Sequence, residues 1–297
     1  MTARTNNVFA DLHLHTHFSD GTYGPEELAA LADQHGLKAV ALTDHDTMEG
    51  CARAAAACQQ RGIEFIPASE LTAELDDVEL HLIGYFLDCT NERLQKELGR
   101  FQQVRQQRIH EMAARLRQAG VPLQAESVFA LANCRAPGRP HVARALVQQR
   151  LCGSLDEAFE RFLKKGKPAW VPKCRMSALQ AIELVHQAGG LAVMAHPGLN
   201  RTDDVIPILV KAGLDGIECF HTKHSTHATE HYLEIAEKYN LLVTGGSDCH
   251  GMSKGKPLIG TIRVPYVYVE RLKERAMQKS LDRGFQIADT GPGASAV

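Results

Sequence analysis

Short apolar runs of strand length recur along the chain, at Val8–Leu14, Lys38–Leu42, Glu64–Ala68, Leu80–Phe86, Leu191–Met194, Gly216–Phe220 and Leu241–Thr244. Their length and bounding turn residues predict buried strands. Between several of them the apolar positions fall at helical spacing. Pro25–His35 opens with Pro-Glu-Glu, which suits a first helical turn. Ser177–Gln187 has a capping residue in front and Gly189-Gly190 behind, and His227–Tyr239 reads as a third helix. Strand–helix alternation of this kind predicts an α/β fold with a parallel sheet or barrel. One link breaks the pattern: about ten residues separate the third strand from the fourth, too few for a crossover helix. A hairpin-like turn is expected there, with Glu70 and His81 facing each other across it.

The segment 91–170 lacks strand signals. It predicts a long or broken helix over Glu92–Gln118 and shorter ones at Glu126–Asn133, His141–Gln149 and Leu155–Lys164. It holds 15 Lys and Arg against 7 Asp and Glu, a net of +8, whereas the remainder holds 18 against 28, a net of −10. Residues 1–90 and 171–297 thus read as one acidic body, interrupted by a basic helical insert at 91–170. The insert is either a solvated helical surface or a lid that attracts an anionic substrate.

With 297 residues, 44% hydrophobic and 23% charged, the chain has the make-up of a globular protein with a sizeable core. The overall net charge of −2 gives no push toward nucleic acid or membrane. No signal-peptide or membrane-spanning run stands out, which predicts a cytoplasmic protein. The eight cysteines form no Cys-x-x-Cys pair and are expected to be reduced thiols. The small-residue tail Gly291–Val297 is expected to fray.

The candidate chemistry lies where the His, Asp and Glu residues fall. His13 and His15 sit two apart on the first strand and so point to one side. Asp44-His45-Asp46 follows the second strand, Glu70 the third, and His81 opens the fourth. His196-Pro197 follows the fifth, Glu218 and His221 fall near the end of the sixth, and Asp248-Cys249-His250 follows the seventh. In a parallel barrel the C-terminal strand ends share one face, so these residues converge. Imidazoles mixed with carboxylates suit zinc, manganese or iron better than calcium or magnesium. The candidates are too many for one ion, and paired ions roughly 3.5–4 Å apart suit in-line displacement at phosphorus, and equally amide hydrolysis. Asp11 and Asp44 are candidates for orienting the imidazoles beside them. Ser247 lacks the Gly-x-Ser-x-Gly elbow, Cys249 reads as structural, and no phosphate-loop or dinucleotide fingerprint occurs.

Together, Asp11-Leu-His13-Leu-His15-Thr, Ser19-Asp20-Gly21, Leu42-Thr-Asp44-His45-Asp46, Glu70-Leu-Thr, His81-Leu-Ile-Gly-Tyr, Ala195-His196-Pro197 and Gly246-Ser-Asp248-Cys-His250 resemble the PHP (polymerase and histidinol phosphatase) family, which is amidohydrolase-like. The resemblance covers nearly all of the chain outside the insert. It implies a distorted (βα)7 barrel with an inserted helical lid and a site for two or three divalent ions. Manganese is the first choice, with zinc or iron as alternatives. It implies that His13, His15, Glu70 and Asp248 hold one ion. Glu70 would bridge to a second with His81 and His196, while Asp20, His45 and His250 hold a third. The motif departs at Cys249, where Phe or Ala is usual.

Arg105-x-x-Arg108 and Gly138-Arg139-Pro140-His141 resemble the branch of 3′,5′-nucleoside bisphosphate phosphatases and RNase AM-type 5′→3′ exonucleases. The activity expected from this resemblance is hydrolysis of the 3′-phosphate of a nucleoside bisphosphate such as pAp. The alternatives are a 5′→3′ exonuclease on short 5′-phosphorylated oligonucleotides and a small-molecule phosphatase of the histidinol phosphatase type. His196, His221 and Asp248 are the candidate catalytic residues, with His221 a candidate acid. Arg135 and Arg139, with His221, are candidates to bind substrate, since arginine forks suit a second phosphate. Arg105 and Arg108 fall on the long helix, where a solvated face is an equal reading. A nucleotide or a short oligonucleotide is the expected partner, with no membrane and no obligate protein partner.

Overall fold

A single nine-stranded sheet curls most of the way round into a barrel in the computed structural model, which describes residues 8–76, 78–173, 176–200 and 203–283. Cys174 and the tail Gly291–Val297 lie outside the described residues. The strands are β1 (Phe9–Leu14), β2 (Leu37–Leu42), β3 (Glu64–Leu75), β4 (Val78–Tyr85), β5 (Met176–Ser177), β6 (Leu191–Met194), β7 (Gly216–His221), β8 (Leu242–Gly246) and β9 (Val264–Pro265). The helices are α1 (Pro25–Gln34), α2 (Cys51–Gln59), α3 (Glu92–Gln118), α4 (Ala125–Ala132), α5 (Arg139–Gln148), α6 (Leu155–Ala158), α7 (Ala178–Gln187), α8 (Pro197–Asn200), α9 (Ile206–Lys211), α10 (Thr226–Tyr239) and α11 (Tyr266–Arg283).

The sheet order is β8-β7-β6-β4-β3-β2-β1-β9, with β5 beside β3. Pairing is parallel from β1 through β3 and from β6 through β8, and antiparallel on both sides of β4. The barrel closes through the chain beyond β8: Asp248 N–H bonds the His13 carbonyl at 2.9 Å, and His15 N–H bonds that of Cys249 at 3.0 Å. Gly246 permits this closure, because a Cβ there would stand 2.4 Å from His13 backbone nitrogen.

The expected hairpin joins β3 to β4, but β3 does not stop at Ala68 as predicted. It continues to Leu75, pairing Glu70 with Ile83 and Thr72 with His81. A strand partner supplies hydrogen bonds that the Ser-Glu-Leu-Thr sequence gives no hint of. The predicted helix Leu155–Lys164 is a single α turn followed by a π-helical turn at Phe159–Leu163. Helices α2, α8, α9 and α11 and strands β5 and β9 went unpredicted.

Alternate strand residues, among them Leu12, Ala41, Ile66, Ile83, Tyr85 and Val193, form one buried cluster completed by Val269 and Leu272 of α11. The long helix α3 serves two cores. Its Leu94, Leu98 and Phe101 pack with the barrel and α7, whereas Ile109, Met112 and Leu116 pack with α4, α5 and the 155–171 segment. At 1.5 Å per residue, α3 is roughly 40 Å long, enough to span both. Among the described residues no helix is long and apolar enough to cross a membrane, and the seven described cysteines are free thiols.

Candidate metal centre

Glu70 lies at the middle of the cluster, buried on β3. Its Oε2 is 3.4 Å from His13 Nε2, 3.3 Å from His15 Nε2 and 3.1 Å from His45 Nδ1. Its Oε1 is 2.7 Å from His81 Nδ1 and 2.9 Å from His196 Nε2. Asp248 Oδ1 stands 3.2 Å from His15 Nε2, and Asp20 Oδ1 stands 3.2 Å from His250 Nε2. All nine residues expected to hold metal therefore come together. Four overlapping groups of potential donor atoms can be drawn: His15, Asp20, His45 and His250; His13, His15 and Asp248; His13, Glu70 and His196; His45, Glu70 and His81.

This donor set fits several divalent cations. Nε2 of His13 and Nε2 of His15 approach to 3.1 Å in a fully buried setting. With the His13 proton on Nδ1 toward Glu218, His13 Nε2 carries a lone pair, and a cation between the two rings can take a lone pair from each. Buried Nδ1 atoms of His15 and His196 have no hydrogen-bond partner. Burial raises the Asp20 carboxyl, but the His250 and His45 rings outweigh it and hold the group well below the usual carboxylate range. Asp248 behaves alike: burial raises it, and His250, His15 and His221 pull it well down. Burial pushes the His45 ring down to about 3, so it presents a free lone pair at neutral pH.

Surrounding residues fix these rings. Glu218 accepts from His13 Nδ1 at 3.0 Å and from the His196 backbone N–H at 2.7 Å, which leaves His13 Nε2 facing the cluster. Asp46, His196 and Asp248 adopt positive φ of 52°, 29° and 52°. Such backbone is uncommon for these residues and gathers where a fold holds functional side chains in place. Asp11 and Asp44 do not orient imidazoles as expected. Asp11 accepts the backbone N–H groups of Ser247 at 2.8 Å and Gly260 at 3.3 Å. Asp44 accepts Thr16 N–H at 2.7 Å and the Ser19 hydroxyl at 2.6 Å. A short carboxylate on these strand ends reaches the neighbouring loop before it reaches a ring. Cys249 is structural: its Sγ receives the N–H of Gly251 at 3.4 Å and Leu258 at 3.3 Å, and burial raises its thiol pKa.

The helical segment docks on the loops that carry the cluster. Arg144 donates to the Asp20 carbonyl at 2.6 Å, and Gln102 to Thr47 Oγ1 at 3.2 Å. Arg105 donates through Nε to Asp46 Oδ2 at 2.9 Å and also through Nη2, so it is a buried ion-pair residue and not part of a solvated face. Arg108 is buried and bonds the Val171 carbonyl. A narrow cleft is lined by Asp46 and Thr72, the chain neighbour of His45 and the strand partner of His81, with Phe101, Val104, Arg105, Arg108 and Lys173. Lys173 is held by Glu79 at 2.7 Å; its isolated position in the sequence gave no signal. Arg135 is exposed and pairs with Glu49 at 2.9 Å, while Arg139 opens α5.

A nearly closed α/β barrel gathering imidazoles and carboxylates at its strand ends is the architecture of a metal-dependent hydrolase, and the relatives of this chain are phosphoesterases. The chain belongs to the PHP domain family, whose profile matches residues 11–167 and so runs through the helical segment. It is 32% identical over 250 residues to the 5′-3′ exoribonuclease Rnm of Escherichia coli, covering 82% of this chain and 85% of that protein. It is 32% identical over 258 residues to the 3′,5′-nucleoside bisphosphate phosphatase of Chromobacterium violaceum, covering 84% and 90%. A solved structure from Bifidobacterium adolescentis, described as a metal-dependent phosphoesterase, superposes with a TM-score of 0.83 at 33% identity over 90% of this chain and 96% of that one.

Proposed function

We propose that the chain hydrolyses the 3′-phosphate of nucleoside 3′,5′-bisphosphates. The observation that carries this reading is the cationic cleft directly beside the ligand cluster. Burial, together with Arg105 and Arg139, lowers the Lys173 ammonium pKa despite Glu79. Several cations thus crowd one wall, a setting that favours an anion. A substrate whose reacting phosphate lies at the cluster would place a second phosphate toward the helical segment. There Arg139, Lys173 and, at the mouth, Arg135 are the proposed contacts. The name of the Chromobacterium relative supports the same substrate class.

In this reading His13, His15, Glu70 and Asp248 would hold one ion, with Glu70, His81 and His196 at a second and Asp20, His45 and His250 at a third. When bound, divalent ions, manganese first among them, supply Lewis acidity to the phosphoryl oxygens and activate water at neutral pH. The chain's residues do the rest. Glu218 holds His13 and His196 in register, and His221 and Asp248 face the reacting group. Helices α3 to α6 form a lid that excludes water and presents cations to the far end of the substrate.

The name of the Escherichia coli relative favours a second reading, stepwise cleavage of 5′-phosphorylated RNA from its 5′ end. Parallel assays with manganese separate the two: phosphate release from pAp against mononucleotide release from a 5′-phosphorylated tetranucleotide. Turnover of pAp at least 100-fold more efficient supports the bisphosphatase, and the reverse ratio replaces it with the exonuclease. Asp248→Asn is expected to abolish either activity and to lower bound metal; full activity with normal metal content contradicts the cluster as the reactive centre.

A further inference from the structure

His221 ends β7 with a buried side chain whose two ring nitrogens have different surroundings. Nδ1 accepts the backbone N–H of Lys223 at 3.1 Å. A ring nitrogen that accepts carries no proton, so the imidazole is the neutral tautomer with its hydrogen on Nε2. The turn that supplies this N–H is closed by the His224 N–H on the His221 carbonyl at 3.0 Å. Nε2 itself is buried without a hydrogen-bond partner. Asp248 Oδ2, 3.5 Å away, is near enough for the ring to help hold that carboxyl down but too far to satisfy the donor. The rings of His196 and His13 stand at 5.5 and 6.2 Å between centroids. His221 is also absent from all four groups of potential metal donors, although it adjoins them. A buried donor of fixed direction without a close partner carries a desolvation cost, which a ligand oxygen placed against it removes.

We infer that His221 is a fixed neutral hydrogen-bond donor to a non-bridging oxygen of the reacting phosphate, and not the acid that protonates the leaving group. The inference rests on the reading that a phosphate ester reacts at the cluster. The Lys223 N–H selects the tautomer, and Nε2–H then meets charge that develops on the phosphoryl group without reorganising. No proton leaves the ring in the step. The leaving oxygen takes its proton from solvent water.

Two measurements test this. In zinc-loaded protein labelled with ¹⁵N at histidine, ring correlations should show Nε2 of His221 protonated and Nδ1 bare; a protonated Nδ1 overturns the inference. For kinetics, an alkyl phosphate and an aryl phosphate with a good leaving group are compared. His221→Ala should lower kcat by about 100-fold on both esters, because the donor acts on an oxygen common to them. His221→Gln, which returns an N–H at similar reach, should recover to within roughly tenfold of wild type. A loss confined to the alkyl ester and not rescued by glutamine identifies an acid and overturns the donor role. If the alanine variant fails to fold, the glutamine variant alone decides through its ratio between the two esters. Wild-type protein inactive on both esters defeats the phosphatase reading and the donor role with it. An active wild type with a glutamine variant as poor as alanine defeats the donor role alone.

Discussion

Arg105 joins the helical segment to the barrel, and replacing it with methionine isolates that joint. Asp46, the acceptor, is 1% exposed, and the Arg105 side chain is 15% exposed. At an effective dielectric near 20, a contact at about 4 Å is worth roughly 4 kcal/mol before desolvation. Removing one partner of a buried pair typically costs about 3–5 kcal/mol, because the remaining charge has been taken out of water. Asp46 keeps two other donors, Thr72 N–H at 3.0 Å and Thr72 Oγ1 at 3.2 Å. Methionine keeps an apolar stem of similar length in the cleft that Phe101 and Val104 also line. Arg105→Met should therefore destabilise by about 3 kcal/mol, at the lower end of that range. Asp46→Asn in the methionine background should cost much less than in wild type, giving a coupling energy of about 2 kcal/mol in a double-mutant cycle. The assay is urea unfolding at pH 7 after chelation, so that bound metal adds nothing to the native state, with the midpoint shift read at constant slope. A single-mutant loss below about 1 kcal/mol, or additive effects within about 0.5 kcal/mol, refutes the account of this pair as a buried joint.

Three further outcomes follow from the geometry. Glu218→Gln should weaken metal binding by about 10–100-fold, because an amide has one acceptor oxygen where the carboxylate uses two, for His13 Nδ1–H and the His196 N–H, and competition titration with a chelator measures it. Gly246→Ala forces a methyl within 2.4 Å of His13 backbone and should destabilise by at least about 1–3 kcal/mol, read as a fall in Tm with loss of bound metal. Asp215 governs acid stability away from the site. Burial raises its carboxyl, but His186 at 2.8 Å and the Lys279 ammonium outweigh this and hold it below the usual range. Its stabilising effect is thus full above the unfolded-state pKa of about 3.9 and disappears as pH falls through the lower folded value. The stability gap between wild type and Asp215→Asn should be widest near neutrality and close below about pH 4; a gap that widens on acidification contradicts this sign.

The sequence by itself determined the parts whose information is local. Apolar runs bounded by turn residues located seven strands, six of them to within about two positions and β3 seven residues short; start and stop signals located α1 and α7, and helical spacing located α10. The alternation of side chains on β1 was enough to put His13 and His15 together. Recurrence of His, Asp and Glu at strand ends was enough to suggest one cluster, because a parallel barrel turns all those ends to one face. A short hairpin link showed that β4 must run backward.

Tertiary structure decided what depends on partners distant in sequence. The length of β3 depended on hydrogen bonds from β4, so Glu70 proved to lie within a strand and to touch five rings from four different segments. The division of labour among acids was equally non-local. Asp11 and Asp44 sit beside the clustered histidines in sequence yet bind loop backbone, whereas Glu218, 205 residues further along the chain, orients His13. Arg105 and Lys173 show the same principle. Nothing in a helix pattern or a lone lysine distinguishes a solvated cation from a buried one, because burial and pairing depend on the acid that folding brings opposite.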